Sequence, residues 1–244
     1  MFSTPSKLRK PLIKVRKQFK ESSINFESDL MEAIDAAIEA VRHNRLELET
    51  YIKLRPSFAT ALEPVTVDPI SPLIVQKMAD AASKAGVGPM AAVAGGLADL
   101  AVEAMRNTGS RVSIVEDGGE VSAISEEPFI VGLYAGRNTL GRGLGFRIKP
   151  SDCPIGVATS SATVSRAFSF GEADAATIFA DNAAVADAAA TAICNSVVGE
   201  DVEESLRRGL EATKNMSFVR GAIIVRGDHV GSVGWIPALV KVDS

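Results

Sequence analysis

Apolar and polar positions alternate between two periods along this chain. Residues 12 to 19 alternate Leu12, Lys14, Arg16 and Gln18 against Ile13, Val15, Lys17 and Phe19, the period of a strand with one solvated face. The spacing then lengthens. Leu30, Ile34, Ile38, Val41, Leu48 and Ile52 recur at helical intervals after Ser28, a cap residue type, and before Pro56, which ends the pattern. "SPLIVQKMADAASKAG" places Ser71 as cap, Pro72 at the first helical position and Gly86 as stop. A further helix starts at Pro89 and ends before Gly109. It contains Gly95 and Gly96, each costing about 1 kcal/mol relative to alanine, which points to close approach of a backbone or a ligand.

The period then returns to two. "RVSIVEDGGEVSAI" reads as two strands turning at Asp117, Gly118 and Gly119, and "FIVGLYAG" and "LGFRI" add short strands. "IGVATSSATVSRAFSFG", the strand "AATIFA", the alanine-rich helix "DNAAVADAAATAICNSVVG", the helix "VEESLRRGLEATKN" and the closing hairpin "AIIVRGDHVGSVGWIPALVKV" complete the chain. Strand pairs joined by short turns make antiparallel sheets. Strand pairs and helix pairs alternate twice, which predicts an α+β fold with two lobes and an internal pseudo-repeat rather than a Rossmann order. One domain over residues 1–244 is expected, with residues 1–14 a loose basic tail.

Composition narrows the function classes. The chain has 244 residues, 46% hydrophobic, with a formal net charge of -4, so a large core is available and no global basic surface invites nucleic acid. No apolar run reaches membrane-span length, and none follows the basic start as a secretory signal requires, so no membrane partner and a cytoplasmic location are expected. Cys153 and Cys194 lack metal or redox spacing. His43 and His229, the only histidines, stand in unlike contexts.

One pair carries candidate chemistry. Asp187 precedes Thr191 by four residues in the alanine-rich helix, so carboxylate and hydroxyl lie on one face, one turn apart. Two readings are open: Thr191 bonds back to the preceding turn while Asp187 is solvated, or the two oxygens hold a ligand. Arg137, Arg142 and Arg147 among glycines suit either phosphates or solvent, and Tyr134 either a ring to stack on or plain packing.

Three segments in order, "VEDGGEV" after the glycine-bearing helix, "GVATSS" and "ADAAATA", resemble the ApbE superfamily of magnesium-dependent FAD:protein FMN transferases. "GVGPMAAVAG", "YAG" and "SFGEADA" are similar to its short, uncharacterised branch. The resemblance implies an ApbE-like, T-fold-like architecture, with Asp187, Thr191 and the carbonyl of Ala190 as Mg2+ ligands. It also implies an FAD cleft built from the Gly118–Gly119 turn and from Thr159, Ser160 and Ser161, so these two turns are expected to meet. Expected partners are a flavin nucleotide, an acceptor protein and a second copy forming a homodimer. The chain departs from the family at Asp99, where the family has lysine, at Glu116, Asp117 and Glu120 around the glycines, and in lacking the histidine motif that follows "TSG". These departures leave a second reading, an accessory binding module that keeps the cleft and is linked to sulfur assimilation.

Overall fold

A computed structural model describes residues 11–20, 22–132, 143–161 and 171–242. Strands β1 (Ile13–Phe19) and β2 (Ser22–Ser28) form the first hairpin, so Ile13 and Lys14 belong to a strand and not to a loose tail. With Ser22, Ser23, Asn25, Glu27 and Ser28 among its seven residues, β2 carries too little apolar alternation to be legible in the sequence. Its buried positions are Ile24, Phe26 and Ser28. Helix α1 (Met31–Leu54) follows, then the single turn α2 (Ser57–Thr60), α3 (Leu73–Ala85), a 3-10 turn at Pro89–Ala92 and α4 (Val93–Asn107). Ser28 does not cap α1. Its hydroxyl accepts from Leu30 N–H at 3.2 Å, and the helix begins at Met31 with Leu30 in the cap position. At α3 the cap position is Pro72, one residue later than expected, while Gly86 ends the helix with φ of 71° as predicted.

Strands β3 (Val112–Asp117) and β4 (Glu120–Ser125) make the next hairpin, followed by β5 (Phe129–Gly132), β6 (Leu144–Ile148), β7 (Ile155–Ser160), β8 (Ala175–Ala180), α5 (Ala183–Ser196), α6 (Val202–Lys214), β9 (Val219–Arg226), β10 (His229–Gly234) and β11 (Ala238–Lys241). The main sheet runs β1-β2-β3-β4-β7-β8-β9-β10, every neighbour antiparallel. Within it a hairpin, a helical excursion and a second hairpin occur twice, and the halves meet where β4 pairs with β7. The pseudo-repeat is present, and its two lobes share one continuous sheet.

Helices cover one face. There, α1 and α4 pack over β2 and β3 through Ile24, Phe26, Ile34 and Met105, while α3 and α5 pack over β7 to β9. On the other face Phe146 and Ile148 pack on Val112, Val157 and Phe179, carried by a small sheet of order β11-β6-β5. The closing segment is therefore a hairpin plus a strand that crosses to this second sheet. No single helix among the described residues is long and apolar enough to cross a membrane.

Candidate functional site

The amino terminus of α5 is wedged between α4 and β7 by two glycines. A Cβ on Gly95 of α4 would stand 2.2 Å from the Ala183 carbonyl oxygen, and one on Gly156 of β7 would stand 2.0 Å from the Asn182 carbonyl carbon. Gly95 therefore serves a backbone approach. Such proximity allows side chains on α4 to reach the unpaired amides of the first turn of α5. Asp99 Oδ1 accepts from Ala183 N–H at 2.9 Å and Oδ2 from Ala184 N–H at 3.0 Å, while Ser122 of β4 donates to Oδ1 at 2.7 Å. Asn182 takes the third amide, accepting from Val185 N–H at 2.9 Å. Asp99 is thus a cap supplied by another helix.

Asp187 does the converse. Its Oδ2 accepts from Gly95 N–H at 3.0 Å, and Ala94 N–H bonds to the same carboxylate, so Asp187 caps the first turn of α4. Burial pushes its carboxyl up to about 7 against the pull of the Gly95 amide, with Asp117 and Asp99 adding to the rise. Thr191, one turn further, is half-buried. Among the described residues its hydroxyl makes no hydrogen bond, so the back-bonded arrangement is not adopted. Ala190 is 1% exposed in the middle of α5.

The glycine turn stands beside this face. Gly118 has φ of 78°, a left-handed conformation that lets two residues join β3 to β4. Asp117 and Glu120 face one another across the turn, and both act electrostatically on Asp187 or are acted on by it. Glu120 Oε2 accepts from Gly119 N–H at 3.1 Å, yet burial, then Asp187 and Asp117, hold its carboxyl well above the usual range. On the far side of the turn, a Cβ on Gly119 would lie 3.2 Å from the Thr159 carbonyl oxygen. The two turns therefore meet.

They do not meet through every residue expected of them. Thr159 offers the turn its carbonyl, while its hydroxyl pairs with Thr177 at 2.9 Å. Ser160 is half-buried at the end of β7, and Ser161 is buried. Arg147 is exposed on β6. Tyr134, Arg137, Arg142 and the segment from 162 to 170 lie outside the described residues. His43 pairs with Glu47 on the outer face of α1 and His229 opens β10, so neither stands on α4, α5, β7 or the β3–β4 turn.

The sequence reading missed Asp99 as a cap and Glu120 as the partner of its own turn. A signal for Asp99 was present: like Asp187, it is an acid flanked on both sides by apolar residues within a helix.

The donor set suits a hard divalent cation. Asp187 brings a carboxylate and Thr191 a hydroxyl, while no three His, Cys, Asp or Glu side chains among the described residues form a metal cage. A cation with these two protein oxygens would complete its shell with water and ligand oxygens, as Mg2+ does.

Residues 11–223 match the protein family described as "AbpE bacteria". A UPF0280 protein of Methanosarcina barkeri is 40% identical over 232 residues, covering 95% of this chain and 90% of the relative. A UPF0280 protein of Methanocaldococcus jannaschii is 43% identical over 226 residues, covering 92% and 91%. Among solved structures, the flavinyl transferase ApbE of Pseudomonas stutzeri superimposes with a TM-score of 0.55 at 14% identity, covering 91% of this chain and 94% of its own. The ApbE protein of Thermotoga maritima gives 0.56 at 15%, covering 96% and 97%. These likenesses establish a shared fold.

Proposed function

Because this chain belongs to the ApbE-like family described as AbpE bacteria, in its UPF0280 branch, we propose that its cleft binds a flavin nucleotide, FAD foremost, together with Mg2+. The observation that carries the proposal is the convergence of three elements. Asp187 and Thr191 lie one turn apart on α5, beside the place where the Gly118–Gly119 turn meets the end of β7. The Pseudomonas stutzeri neighbour is a flavinyl transferase, and that chemistry is carried over here as part of the proposal.

Asp187 and Thr191 would hold Mg2+ through the carboxylate and the hydroxyl. Bound there, the ion neutralises charge on a pyrophosphate, the chemistry needed to cleave FAD or to pass its FMN half to an acceptor protein. The protein's own part is placement. Asp99 and Asn182 fix the start of α5, and Gly95 N–H fixes the Asp187 carboxylate. On this reading the protein is a cytoplasmic, flavin-handling enzyme.

One observation favours a second reading. Neither of the two histidines stands on α4, α5, β7 or the β3–β4 turn, so no imidazole is placed there to take a proton from an acceptor. A binding module that retains the cleft and serves another enzyme fits this better than a full transferase. Isothermal titration with FAD, FMN and ADP, each with and without Mg2+, together with chromatography of incubated FAD, separates the readings. Magnesium-dependent FAD binding with AMP release supports the enzyme, and binding without turnover supports the accessory module. Absence of flavin binding in every arm overturns both.

A further inference from the structure

An amide at a glycine turn ordinarily invites an anion, because no side chain bars a phosphate from the backbone. Here that amide is already taken. Gly119 N–H donates to Glu120 Oε2 at 3.1 Å, so the carboxylate of the next residue folds back over the turn. Glu120 stands opposite Asp117 in the β3–β4 ladder and feels the charge of Asp187, and the Gly119 amide offsets part of that crowding. The neighbouring surface is the carbonyl oxygen of Thr159, within 3.2 Å of where a Gly119 side chain would begin. The groups around the turn are thus two acceptors, the Thr159 carbonyl and the Glu120 carboxyl, and the Gly119 donor is occupied.

Resting on the flavin-nucleotide reading, we propose that Glu120 is a specificity-determining residue. It denies the Gly119 amide to phosphate and turns this part of the cleft toward an uncharged, donor-bearing portion of the ligand, such as sugar or ribityl hydroxyls or a ring N–H. The pyrophosphate then lies away from the glycine turn, on the Asp187 side. By holding the Gly119 amide, Glu120 removes the donor that a phosphate oxygen would use, and its carboxyl oxygens accept hydrogen bonds from hydroxyls, so the same side chain both selects and excludes.

The test compares wild type with Glu120→Gln and Glu120→Ala, with Mg2+ present and FAD as a further titrant in the flavin arms, and with EDTA for pyrophosphate alone, so that no divalent cation assists a bare phosphate. Riboflavin, FMN and inorganic pyrophosphate are titrated by calorimetry, with melting temperatures as a control for folding. Glu120→Gln keeps the shape and the acceptor facing Gly119, which guards against loss of the fold. Expected for Glu120→Ala is an affinity gain of about tenfold for pyrophosphate and a loss of similar size for riboflavin, with Glu120→Gln between. If wild type binds flavins and both variants keep its ratio of FMN to riboflavin affinity, the specificity role is overturned while the flavin reading stands. If no variant binds a flavin but Glu120→Ala gains pyrophosphate, the flavin reading falls and exclusion of phosphate by Glu120 stands. Absence of all binding overturns both.

Discussion

Asp99 on α4 and Asp187 on α5 each hold the first turn of the other's helix. Asp99 accepts from Ala183 and Ala184, and Asp187 from Gly95 and Ala94. Each carboxylate meets the positive end of a helix dipole, where an anion is stabilised by about 0.3–2 kcal/mol depending on burial. Such an exchange requires the two helix starts to lie almost in contact, which Gly95 provides. It also explains why two helices built of small apolar residues carry one buried acid each.

Asp99→Ala should destabilise the protein by about 2–3 kcal/mol, because two first-turn amides and the Ser122 hydroxyl lose their acceptor in a buried site. Denaturant unfolding measures the loss. Amide exchange should accelerate at Ala183 and Ala184 while Val185, capped by Asn182, stays protected. Unchanged exchange at Ala183 and Ala184 would show that the cap has no weight.

Two glycines should respond differently to alanine. At Gly95 a new Cβ meets backbone at 2.2 Å, so Gly95→Ala forces α4 and α5 apart and should cost more than about 3 kcal/mol or prevent folding. At Gly119 the nearest atom is 3.2 Å away, a distance that a shift of a few tenths of an ångström relieves. Gly119→Ala should change stability by less than about 1 kcal/mol and act mainly on ligand affinity. Equal melting temperatures for the two variants would contradict this.

Periodicity made the helices and most strands legible, because α3, α5 and β3–β4 carry strong local signals: Gly86, the alanine run and the two-glycine turn. β2 was hidden because its inward face begins and ends in Ser22 and Ser28, so only Ile24 and Phe26 mark the alternation, too short a run to read as a strand. The crossing of β11 to the second sheet depends on packing of Phe146 and Phe179, which no local pattern reveals. At the site, the glycine turn and Asp187 were legible as a motif. The cap role of Asp99 was not, since the residues it binds are 84 and 85 positions away.

Thr191→Val should leave folding intact. The hydroxyl makes no hydrogen bond to a described residue, and valine keeps the branched shape, so stability should change by less than about 0.5 kcal/mol. Magnesium affinity, followed by calorimetry, should fall, but less than on loss of the Asp187 charge. A large loss of stability with no change in magnesium affinity would assign Thr191 a packing role alone.

Asp187→Asn separates the cap from the charge. Asparagine keeps an oxygen for Gly95 N–H but never ionises. In the wild type, burial raises the Asp187 carboxyl to about 7 from its ordinary value of 3.8, so the folded state holds its proton more tightly than the unfolded chain does. Below pH 4 the group is protonated in both states and contributes no difference. Between about pH 4 and 7 the unfolded chain ionises first, so wild-type stability declines through that window, and above 7 the decline levels off. The variant lacks this loss and, in EDTA at pH 8, should be about 1–2 kcal/mol more stable than wild type, the gap closing as pH falls to 4. Adding Mg2+ should reverse the order, since only wild type offers an anionic ligand and gains stability from the ion. Urea unfolding at pH 4, 6 and 8, with EDTA or Mg2+, provides the check. A gap that does not vary with pH would show that Asp187 is charged in both states, and a gap indifferent to Mg2+ would remove the carboxylate from the metal site.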